Sequence, residues 1–129
     1  RRSRRVSERI MGRIVGIGVD VVDLARFERA LDRTPRLRER LFSDAEGAGL
    51  PVRSLAGRFA AKEAFIKALG AADGLSWHDM QVVTDEAGNP DLMVSGRAAE
   101  IVAERGIASL HVSMSHDAGV AIAFVVAES

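Results

Sequence analysis

Arg58-Phe59-Ala60-Ala61-Lys62-Glu63-Ala64-Phe65-Ile66-Lys67-Ala68-Leu69 decides how this chain is read. Most of these residues are good helix formers, and Leu55, Phe59, Ile66 and Leu69 supply an apolar stripe. Pro51 suits a first turn and Gly70 a C-terminal cap, so the spacing predicts one long helix over 52–69. Four charges interrupt the stretch from Arg58 to Leu69. Glu63 and Lys67 stand four apart in the order favoured for a surface ion pair, and Arg58 and Lys62 repeat that spacing on the adjoining strip. Against a solvated face stands the apolar company of Phe59, Phe65, Ile66 and Leu69, which turns these charges toward a boundary or cleft. One carboxylate among three cations suits a Mg²⁺–phosphate site, where the acid holds the metal and the cations balance phosphate charge.

Upstream, Ile14-Val15-Gly16-Ile17-Gly18-Val19 is a short, mostly β-branched run that predicts a buried strand ending at Asp20. Gly16-x-Gly18 lacks the third glycine of a dinucleotide fingerprint, because Val21 holds that place; close backbone packing is the plainer reading. Asp20 either caps the next helix or serves as a hard-metal ligand, and Asp23 is the better cap. Leu24, Phe27 and Leu31 predict a helix over 24–32. A second helical stretch runs from Thr34-Pro35 to Phe42, and Ser43-Asp44-Ala45-Glu46 has capping-box spacing for a short third one.

Downstream, 71–78 reads as a loop in which His78 beside Trp77 serves ring packing. Strands over 80–84 and 92–94 flank the turn Glu86-Ala87-Gly88-Asn89-Pro90, Ser95 caps a helix through Arg105, and Leu110, Val112 and Met114 alternate with polar residues as in a half-buried strand. Asp117-Ala118-Gly119 turns into a last strand, 120–126. Ser115-His116-Asp117 is not a catalytic triad, since neighbouring strand residues point to opposite faces. His116 either satisfies a loop carbonyl or binds phosphate and assists proton transfer. The element order and the tight late turns imply an α+β fold, an antiparallel sheet packed against helices with one long central helix.

The 129 residues make a single domain. Cysteine and tyrosine are absent, so disulfides, thiolate metal sites and a cysteine or tyrosine nucleophile are excluded. The formal net charge of +0 hides an asymmetry. Residues 1–10 carry five arginines against one glutamate and read as an arginine-rich leader, disordered or non-native, ahead of a domain over 11–129 with 13 basic and 17 acidic residues. No aromatic residue interleaves those arginines and no apolar run approaches the ~20 residues of a membrane span, so neither nucleic acid nor membrane is an expected partner and a cytoplasmic location is expected.

Three blocks together carry a family resemblance: Ile14-Val15-Gly16-Ile17-Gly18-Val19-Asp20 with Arg26 following, Arg58 to Ala68, and Val112-Ser113-Met114-Ser115-His116-Asp117. In order and spacing the chain resembles holo-(acyl-carrier-protein) synthases, the small bacterial 4′-phosphopantetheinyl transferases. The resemblance implies that fold, a homotrimer with active sites between subunits, and transfer of 4′-phosphopantetheine from coenzyme A to a serine of apo acyl carrier protein, releasing adenosine 3′,5′-bisphosphate in support of fatty-acid and polyketide biosynthesis. It implies Mg²⁺ on Asp20 and Glu63, catalytic roles for Lys67 and His116, and substrate contacts from Arg58, Lys62, Lys67, His116 and the loop Gly88-Asn89-Pro90. Arg26 would meet the carrier protein. The rival reading of the same residues is a non-catalytic module that binds a nucleotide or an acidic protein through its basic residues, without need of Asp20.

Overall fold

The apolar run after Gly12 folds into β1 (Ile14–Asp23), and the last residues into β5 (Val120–Glu128), which pairs antiparallel with it. This computed structural model describes residues 12–70 and 73–129; the leader over 1–10 lies outside the described residues. The expected strand end at Asp20 moves to Asp23. Pairing with β5 continues through Val22 with Ala121 and Asp23 with Val120, a non-local constraint that a local apolar run does not reveal. β4 (Ser109–Asp117) pairs on the other side of β5, so the sheet order is β1-β5-β4. The turn between β4 and β5 has positive φ at both Ala118 and Gly119, which is the twist a two-residue hairpin requires.

α1 (Leu24–Arg33) starts where expected: the Asp23 carboxylate accepts the Arg26 backbone N–H at 2.8 Å. α2 (Leu37–Leu41) and α3 (Asp44–Gly47) are short. α4 (Val52–Leu69) matches the predicted long helix and ends on Gly70 at φ 75°. A 3-10 turn at Trp77–Asp79 leads into the hairpin of β2 (Met80–Thr84) and β3 (Pro90–Val94), a two-stranded unit separate from the main sheet. α5 (Gly96–Glu104) connects it to β4.

α4 lies against one face of the three-stranded sheet. A Cβ on Gly16 would collide with the Ala68 carbonyl oxygen, and one on Gly18 with that of Ala64. The two glycines are therefore the close-packing residues that the sequence implied. Small side chains line both surfaces, Ala60, Ala64 and Ala68 on the helix and Ala121, Ala123 and Ala127 on the strand, so the backbones approach closely. Phe65, Leu55 and Leu69 fill the remaining space and are fully buried. Among the described residues the opposite sheet face has no such cover: Ile17 is 59%, Val21 58%, Phe124 49% and Val19 40% exposed. These four lie in register across β1 and β5 and make one contiguous apolar surface.

Candidate active site

Where β1 leaves the sheet and enters α1, it forms one side of a groove of about 520 Å³. Asp20 to Asp23 come from β1, Arg26, Phe27 and Ala30 from α1, Leu37, Arg40 and Leu41 from α2, Phe59 and Glu63 from α4, and Trp77 from the 3-10 turn. The floor is aromatic: Phe27 stacks on Phe59 at 5.3 Å between centroids, and Phe59 meets Trp77 at 5.5 Å. Asp20 and Glu63 contribute carboxylates to this groove, and Arg26 and Arg40 are exposed along it. Asp20 sits inside a strand, facing α4 with Gly18 and Val22, and so does not act as a helix cap.

Lys67 does not make the Glu63 ion pair expected from the helix spacing. Its Nζ donates to Asp20 Oδ1 and to the Val19 carbonyl, each at 3.0 Å. The neighbouring strand supplies a carboxylate and a carbonyl together, whereas Glu63 offers only a carboxylate. Burial holds the Glu63 carboxyl above its usual proton affinity, the like charge of Asp20 adds to the effect, and Lys67 opposes it. Two carboxylates brought into one groove are a setting into which a cation fits.

Lys62 is the main departure. It was expected at a phosphate, but its side chain is fully buried and its three protons are engaged. Nζ donates to Glu46 Oε1 at 2.5 Å, the Leu41 carbonyl at 2.6 Å and the Trp77 carbonyl at 3.1 Å. A phosphate contact would require breaking this set, so Lys62 is corrected to an interior role. Desolvation lowers its proton affinity and Glu46 works against that. Arg58 lies one turn earlier with its Nε buried and without a partner; desolvation lowers its pKa, and Glu46 partly offsets it.

Two other groups of predicted site residues stand apart from the groove. His116 is exposed near the end of β4; it shares the α4 side of the sheet with Asp20 but lies two strands across and two residues along, roughly 12 Å away by strand spacing and rise. Gly88 and Asn89 lie exposed at the tip of the β2–β3 hairpin and Pro90, half-buried, opens β3; at the tip Asp85 accepts the Asn89 backbone and side-chain N–H groups. Those hydrogen bonds hold the Asp85 carboxyl below its usual range. The sequence reading missed Trp77 and Phe27 as groove residues and Glu46 as the partner of Lys62. Capping-box spacing marked Glu46, but nothing local signalled its burial.

An α+β domain thus brings two carboxylates, a lysine paired with one of them and exposed arginines together around one apolar groove. Residues 16–125 match the model of the 4′-phosphopantetheinyl transferase superfamily. A holo-[acyl-carrier-protein] synthase of Leifsonia xyli is 64% identical over 115 residues, covering 89% of this chain and 97% of that protein. Among solved structures, the holo-[acyl-carrier-protein] synthase of Neisseria meningitidis superposes with a TM-score of 0.82 at 35% identity, over 90% of this chain and 99% of that one. The Helicobacter pylori enzyme, solved in complex with coenzyme A, gives 0.77 at 38% identity, over 87% and 99%. The chain belongs to the 4′-phosphopantetheinyl transferase superfamily, and within it to the holo-[acyl-carrier-protein] synthases.

Proposed function

We propose that this enzyme moves 4′-phosphopantetheine from coenzyme A to a serine hydroxyl of an apo acyl carrier protein, with Mg²⁺ as cofactor and adenosine 3′,5′-bisphosphate as second product. The observation that carries the reading is the Asp20–Glu63 pair in one groove, with Lys67 bonded beside it. The coenzyme A bound to the Helicobacter pylori relative supports the donor. The donor set fits Mg²⁺: two hard carboxylates, and among the described residues no cluster of three or more acidic, histidine or cysteine side chains of the kind that makes an all-protein cage. Asp20 and Glu63 would hold the ion. When bound, it supplies charge neutralisation at the pyrophosphate oxygens.

The chain's own residues account for the rest. The serine oxygen forms a bond to the pantetheine-side phosphorus while the bond from that phosphorus to the bridging oxygen breaks, and the electron pair leaves with the bisphosphate. Lys67 uses two of its three protons in the structure and keeps one N–H for a phosphate oxygen. With Glu63 committed to the ion, the proton that the serine hydroxyl loses passes to water at the mouth of the open groove. Arg26, with Arg40, lies along the apolar groove and suits an acidic carrier whose serine must reach the carboxylate pair.

Arg58, His116 and the loop Gly88-Asn89-Pro90 do not line this groove. We assign them to the coenzyme A side of a site completed by a neighbouring copy, in a homotrimer joined through the open apolar face of the sheet. A cytoplasmic location, where fatty-acid and polyketide carriers are made, follows from this chemistry; among the described residues no helix is long and apolar enough to cross a membrane.

Asp20→Ala tests the reading against a module that only binds. Transfer to carrier protein should fall by at least about a hundredfold while coenzyme A still binds. Unchanged transfer would remove the carboxylate pair from the chemistry.

A further inference from the structure

We propose that Lys62 is a positioning residue for the carrier-protein groove, acting through the main chain at Leu41 and Trp77 and not by touching a phosphate. The inference rests on the function proposed above. Two of its three acceptors are carbonyls of residues that themselves line the groove: Leu41 at the end of α2, and Trp77 in the 3-10 turn. The third, Glu46, is anchored in turn, for its Oε2 accepts the Val82 N–H at 2.9 Å and its Oε1 the Ser43 N–H at 3.2 Å. One ammonium thus ties three separate segments to the middle of α4.

Lysine is suited to this task. Its single nitrogen carries three donors for these three acceptors, whereas a guanidinium spreads its donors over a rigid planar fork. The Phe42 ring lies 5.1 Å from Nζ and closes the cluster on a further side. A second tie joins the same two segments nearer the surface, where His78 Nε2 lies 2.7 Å from the Glu39 carbonyl. Above the ammonium, the Trp77 ring rests on Phe59 and Phe59 on Phe27, so the height of Trp77 sets the groove floor. Glu63, the next residue on α4, faces the groove from the same turn of helix. Lys62 therefore sets the distance between the outer wall and the carboxylate pair.

The test uses Lys62→Met and the double variant Lys62→Met/Glu46→Gln, which removes both charges of the buried pair and keeps an acceptor for Val82. Steady-state kinetics are measured with apo acyl carrier protein and with coenzyme A. Emission of Trp77, the only tryptophan in the chain, is recorded alongside. The expected result is a KM for carrier raised about tenfold or more, a KM for coenzyme A within about twofold, and a red-shifted Trp77 emission. A KM that rises for coenzyme A alone would make Lys62 a phosphate contact and overturn the proposal. A loss confined to kcat, in step with the folded fraction seen by circular dichroism, would make its role structural only, as would failure of both variants to fold. If the unaltered enzyme transfers nothing, the proposed function falls; the emission then decides the tether, and an unshifted Trp77 overturns it.

Discussion

The Glu63 carboxyl carries two opposing demands. Burial and Asp20 favour its proton, while metal binding needs it ionised. With its pKa raised in the folded state, the native protein binds more protons than the unfolded chain in the window just above the ordinary glutamate value. Stability attributable to this group therefore falls as pH rises through that window. Asp20→Asn removes the like charge and should bring the Glu63 midpoint down toward the ordinary value, read by carbon NMR of its carboxyl; an unmoved midpoint would contradict the coupling. Added Mg²⁺ should shift the acid limb of the rate profile to lower pH, because cation and proton compete for one group. Glu63→Gln should cost roughly a hundredfold or more in transfer rate, measured at saturating Mg²⁺. At this scale the sequence was informative where charges broke apolar runs, as at Asp20 and Glu63. It was silent on Lys62, whose partners come from 15 to 21 residues away along the chain.

Between elements, the contact that positions the site is β1 on α4. Gly18→Ala puts a methyl group into the Ala64 carbonyl and should cost about 3 kcal/mol, by forcing the strand away from the helix that carries Glu63. A fall in thermal midpoint together with a raised Mg²⁺ requirement would match; an unchanged midpoint would contradict the packing. The buried cluster behaves differently. Lys62→Met alone should cost about 3–5 kcal/mol in denaturant unfolding, because it strands the Glu46 charge, and the double variant should cost less. α4 was legible from its apolar stripe, Pro51 and Gly70, and α1 from Asp23. The last residues of β1 and the split between the main sheet and the β2–β3 hairpin were not, since strand pairing is decided by partners far along the chain.

Over the whole molecule, two surfaces divide the work. The groove side carries Asp20, Glu63 and Arg26, and the other side of the sheet exposes Ile17, Val19 and Phe124, the face proposed above for a neighbouring copy. Phe124→Glu should dissociate the proposed trimer, seen as a fall in sedimentation coefficient, and abolish transfer with it; a monomeric enzyme of full activity would contradict an interfacial site. The predicted site was legible as residue types but not as one place. His116 and the Gly88–Pro90 loop join it only if a second chain supplies them. The central claim is the transfer itself, and the intact mass of an apo acyl carrier protein tests it most directly. Incubated with this enzyme, coenzyme A and Mg²⁺, the carrier should gain the mass of one phosphopantetheine arm on its serine, and with Asp20→Ala it should not. An unchanged carrier mass with the unaltered enzyme would contradict the account.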